Sequence, residues 1–67
     1  MRLVDKNQYS MEYEGTKGVA VLTRNFGNMD KKDYWSVAVS VNGKYKKLAT
    51  RVEFNKAIAM AENAIDG

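Results

Sequence analysis

The side chains able to do chemistry in this 67-residue chain are amines, guanidiniums, carboxylates, hydroxyls and amides, because it contains neither histidine nor cysteine. Without histidine there is no imidazole acid or base and no Ser-His or Cys-His nucleophile pair. Without either residue type, zinc would have only carboxylates to bind. Asp30 and Asp33, with Asn28, offer oxygen ligands for a hard cation. Their spacing lacks the ligand density of a calcium loop, so they read as a solvated turn. Gly15-Thr16-Lys17-Gly18 resembles a phosphate nest only superficially. It lacks the P-loop pattern and leads into a strand, not a helix, so it reads as a hairpin turn. The inventory predicts a non-enzymatic protein with no cofactor and no metal, and therefore a binding function.

The cations are unevenly placed. The chain carries 11 Lys and Arg against 8 Asp and Glu, a net charge of +3. Residues 15–51 hold eight basic and two acidic side chains, a net +6, while the remainder is net −3. Lys17, Arg24, Lys31 and Lys32, with Lys44, Lys46 and Lys47, are the candidates for phosphate contacts. Phosphate neutralisation releases counterions and is the main source of affinity for nucleic acid. Tyr45 is the candidate aromatic contact, and Ser36 and Ser40, with Ala38, are small enough for a backbone to approach. The same lysines also have a purely structural use, since lysine on an edge strand keeps it from pairing with other chains. Glu12 and Glu14 count against a uniformly basic surface.

The elements that must position these groups follow from periodicity. Tyr9, Met11 and Tyr13 alternate with Ser10, Glu12 and Glu14, the pattern of a half-buried strand over residues 8–14. Residues 19–24 are apolar on both faces at first, which suits a central strand, and residues 25–33 form a polar loop. Trp35, Val37, Val39 and Val41 alternate with Ser36, Ala38 and Ser40 in the clearest strand. Asn42-Gly43 marks a type I′ hairpin turn into a strand over residues 44–49. A two-residue loop sets Ser40 opposite Tyr45 and Val37 opposite Leu48, and a bulge would shift that register by one. Thr50-Arg51-Val52-Glu53 has the spacing of a capping box, and Phe54, Ala57, Ile58, Ala61 and Ile65 form an apolar helical stripe.

The predicted architecture is a single α+β domain over residues 1–67, a small antiparallel sheet in the order β-β-β-β-α with its C-terminal helix packed on one face. The helix is expected to cover Tyr9, Met11, Val37, Val39 and Leu48, and Trp35 is expected to be core, not a base-stacking platform. A domain this small buries only roughly 60% of its unfolded surface, so a bound partner or a homodimer is the expected extra support. No apolar run approaches the ~20 residues of a membrane span, and Met1-Arg2-Leu3-Val4-Asp5 does not begin a signal peptide. A cytoplasmic protein with no membrane partner is expected.

Trp35-Ser36-Val37-Ala38-Val39, Asn42-Gly43-Lys44, Leu48-Ala49-Thr50 and Ala57-x-x-x-Ala61 follow one another at the spacing of a known domain type, with Gly18-Val19 ahead of them. Over residues 18–64 the chain resembles the AP2 domain and the arm-binding domains of phage and transposon integrases. That resemblance implies a three-stranded sheet inserted into the DNA major groove, with Arg24, Ser36, Ser40, Tyr45 and Lys47 as contacts. The alternative is a small phage-type inhibitor or adaptor that binds a host protein through a loop or a sheet edge. Phe26 and Met29, apolar residues in the polar loop, are its candidate contacts.

Overall fold

The computed structural model describes residues 1–26 and 33–67. They form five strands and one helix: β1 (Arg2–Lys6), β2 (Ser10–Glu14), β3 (Gly18–Asn25), β4 (Tyr34–Val41), β5 (Lys44–Val52) and α1 (Phe54–Ile65). Every strand pairs antiparallel with its neighbour in sequence, giving the sheet order β1-β2-β3-β4-β5. The α+β class is as the sequence predicts, with one strand more than the four expected. β1 has no signature because all five of its residues are exposed, so burial imposes no alternation on them. Its register against β2 also shifts between Leu3 and Asp5.

The helix covers one face of β3, β4 and β5. Cross-strand neighbours line up in rows on that face: Tyr13, Ala20 and Val39 in one, and Met11, Leu22, Val37 and Ala49 in the next. From the helix come Ala57, Ala61 and Ile65, at i, i+4 and i+8. Ala20, Leu22, Val37, Val39, Ala57, Ala61 and Ile65 are the buried core, and among the described residues no polar or charged residue is buried. Trp35 packs partly buried against this core, as expected.

Of the five residues expected under the helix, Val37 and Val39 are core and Leu48 packs against it, whereas Tyr9 and Met11 do not: Met11 lines a cleft beside the helix. Tyr9 is 56% exposed because it lies in the β1–β2 turn, not in β2. There the Asn7 side chain takes over the backbone, its Oδ1 accepting from the amides of Tyr9 at 2.7 Å and Ser10 at 3.0 Å. Leu48 is not opposite Val37: Ala38 pairs with Lys47 and Val37 with Ala49, so Leu48 is the extra residue of a bulge. The turn itself is as predicted. Asn42 (φ 54°) and Gly43 (φ 75°) both take the left-handed conformation that type I′ demands, and Ser40 faces Tyr45.

The capping box does not form. β5 runs on to Val52, which pairs with Trp35, so Thr50 is still strand and Glu53 becomes the N-cap, with no side-chain cap bond. The C-terminal end of the helix is served instead by the β2–β3 turn. The Lys17 amide donates to the Ile65 carbonyl at 2.8 Å, and the Lys17 ammonium donates to the Gly67 carbonyl. The Thr16 amide donates to Asp66 Oδ1 at 2.7 Å. Gly15 is required by contact here, since a Cβ on it would lie 2.6 Å from the Ile65 carbonyl oxygen. The Met1 amino group closes the arrangement with an ion pair to Asp66.

Candidate functional site

The helix covers only one side of the sheet, and pairing register assigns every strand residue to one side or the other. Three rows cross the uncovered side. One runs Arg2, Glu14, Val19, Ser40, Tyr45, and the next Asp5, Glu12, Val21, Ala38, Lys47. The third runs Ser10, Thr23, Ser36. The first two change in the same sense, from charged side chains over β1 and β2 (Arg2 and Glu14, Asp5 and Glu12), through small residues, to an aromatic or a cation on β5.

Tyr45 is 73% exposed, the most exposed large apolar side chain among the described residues. It lies opposite Ser40, one pair beyond the Val41–Lys44 pair that flanks the hairpin turn. Lys47, one row on, is exposed as well. At the far end of β4 the Arg51 guanidinium lies 4.6 Å from the centroid of the Tyr34 ring, close enough for a cation–π contact. Between these ends the Thr50 carbonyl accepts from Asn25 Nδ2 at 2.6 Å and from Ser36 Oγ at 3.0 Å. Arg51 is the residue of this surface that its position in the sequence hides. Two register shifts in the β4–β5 ladder break the alternation that would otherwise assign it to a face.

The expected phosphate contacts do not form one cluster. Ser36, Ser40, Tyr45 and Lys47 share the uncovered face. Lys44 and Lys46 pair with Val41 and Val39 and so lie on the helix side of the same edge strand. Arg24 pairs with Trp35, also on the helix side, and its guanidinium forms an ion pair with Asp33. Lys17 is spent on the helix C-terminus. Lys31, Lys32 and Met29 lie outside the described residues, as do Asn28 and Asp30 of the considered cation site.

A second feature occupies the helix side where the helix leaves β1 and β2 uncovered. A cleft of about 380 Å³ opens there, with Met11, Trp35 and Phe54 as its apolar lining and Lys6, Arg24 and Asp33 at its polar parts. Arg24 links two aromatic pairs around it. Its guanidinium is 5.6 Å from the Phe26 ring, which meets Tyr9 edge-on, and 6.0 Å from Trp35, which meets Phe54 at 5.2 Å. Phe26 is 60% exposed.

The fold and this face define a small α+β protein: a five-stranded antiparallel meander with one helix on one side and a charge-graded surface on the other. No family model, no curated protein and no solved structure matches the chain. Among the described residues no helix is long and apolar enough to cross a membrane.

Proposed function

We propose that this chain is a non-enzymatic nucleic-acid-binding accessory protein that uses the uncovered face of its sheet. The observation that carries the reading is an exposed Tyr45, Lys47 and the Arg51–Tyr34 cation–π pair on one side of β4 and β5. Cations there neutralise phosphates, and the small residues Ser36, Ala38 and Ser40 leave room for a backbone.

Lys46 and Lys47 supply the test, because they are adjacent, both exposed, and on opposite sides of the sheet. Binding of a labelled oligonucleotide is measured against salt concentration. Lys47→Gln is expected to flatten the log–log slope by roughly 0.7–0.9, the loss of one phosphate contact, and Lys46→Gln to leave it nearly unchanged. Equal effects would mean that the uncovered face is not the interface. Absence of binding by the unaltered protein at low salt would remove the reading altogether.

One observation favours a protein partner as a second reading. The exposed Tyr9–Phe26 pair sits beside the cleft lined by Met11, Trp35 and Phe54, an arrangement suited to receiving an apolar anchor. On that reading Phe26→Asp abolishes capture of a protein from host lysate while Lys47→Gln does not, and nuclease treatment leaves the capture intact.

A further inference from the structure

We infer that the uncovered face takes a single strand of nucleic acid, not a duplex, an inference that rests on the nucleic-acid reading above. Five strands at ~4.8 Å spacing span about 19 Å, whereas the major groove is only ~12 Å wide and admits a helix or a two-stranded ribbon. With β1 and β2 attached, this sheet cannot enter that groove face-on.

Of the cations of the face, Lys47 and Arg51 are on β5 and Arg2 is on β1, while Glu12 and Glu14 occupy the β2 side. Glu14 is paired with Arg2 at 2.8 Å, and among the described residues Glu12 has no ion-pair partner. A duplex laid over the sheet brings phosphates above both halves, and those over β2 meet carboxylates. A single strand confined to β4 and β5 avoids them.

Tyr45 has no ring partner among the described residues and is largely exposed, so its face can stack only on a base whose own face is free. The Arg51–Tyr34 pair offers a second platform six positions further along β4, about 20 Å away at ~3.4 Å per residue. Lys47 lies between the two, and the small side chains of Ser36, Ala38 and Ser40 border the track. The strand runs along β4 and β5 from Tyr45 to Arg51, with bases on the aromatic ends and phosphates over the cations.

The test is fluorescence anisotropy with labelled oligothymidylate, oligouridylate and a duplex of equal length, at low salt. Tighter binding of either single strand than of the duplex is expected, and the stronger of the two identifies DNA or RNA. Tyr45→Ala is expected to weaken single-strand binding roughly ten-fold by loss of one stacked base. The variant's thermal unfolding should be unchanged, since Tyr45 lies outside the core. Duplex binding equal to or tighter than single-strand binding overturns this inference and leaves the nucleic-acid reading standing. Single-strand binding unaffected by Tyr45→Ala also overturns it. No binding to any of the three removes both.

Discussion

The two faces of β4 come from one stretch of chain and live in different surroundings. Val37 and Val39 are buried under the helix, whereas Ser36, Ala38 and Ser40, alternating with Trp35, Val37 and Val39, border open solvent. Among the described residues all seven buried ones lie on the helix side. Stability is therefore concentrated on one face, and the other is free to be shaped by binding. The same division runs along β3, and it gives the largest expected contrast. Leu22 is fully buried, so Leu22→Ala should cost about 3 kcal/mol through lost burial plus the cavity left behind. Val21, its neighbour on the uncovered side, is half-buried, and Val21→Ala should cost about 1 kcal/mol or less. Urea denaturation of the two variants measures the difference. Equal losses would show that the uncovered face is also core.

How far the sequence reveals this division depends on how strictly each strand alternates. In β4 burial on one side forces a clean period of two, and both the strand and its facing are legible from Trp35 to Val41. The Asn42-Gly43 turn is legible for a different reason, since few residue pairs tolerate positive φ twice in succession. β5 defeats the same reasoning. Its bulge at Leu48 and the further shift before Val52 decouple sequence parity from facing, which hides Arg51 and makes Thr50 look like a helix cap. Tyr9 misleads because alternation continues into a turn that an asparagine side chain closes. The lysines show the limit most plainly. A run of cations in sequence reads as one patch, but adjacent strand residues face opposite ways, so Lys46 and Lys47 cannot serve one flat ligand together.

The end of the molecule where the β2–β3 turn meets the helix depends on charge, unlike the core. Asp66 accepts from the Met1 amino group and from the Thr16 amide, and these bonds hold its carboxyl below the ordinary 3.8. The hydrogen bond to Asp66 likewise raises the Met1 amino group above its ordinary 8.0. A lowered carboxyl stabilises the fold above its unfolded pKa, and that contribution disappears as pH falls through the folded value. A raised amine stabilises below its unfolded pKa, and that contribution disappears as pH rises through the folded value. Both are fully present between pH 3.8 and 8.0. Melting temperature should be flat across that window and decline on both sides. Asp66→Asn should lower the plateau and weaken both declines. A pH profile identical to the parent's would show that the ion pair contributes nothing. The effect should be smaller than that of Leu22→Ala, because removing the charge opens no cavity in the core.

The smallest expected effect concerns the carboxylate half of the uncovered face, and it bears directly on why the two halves differ. If Glu12 merely keeps that half soluble, its charge is irrelevant to binding. If it confines a nucleic acid to β4 and β5, removing the charge should relax that confinement. Glu12 shares a row with Lys47, three strands away, or about 14 Å at ~4.8 Å per strand. That separation exceeds the ~10 Å Debye length at 0.1 M salt, so the repulsion is weak under ordinary conditions and grows as salt is lowered. Glu12→Gln should therefore tighten oligonucleotide binding by about two-fold at 0.01 M salt, where the Debye length reaches ~30 Å, and by a negligible factor at 1 M. A gain that persists at high salt would instead indicate direct contact with the strand, moving its track towards β2. No gain at low salt would mean that the carboxylate half does not influence where the ligand lies.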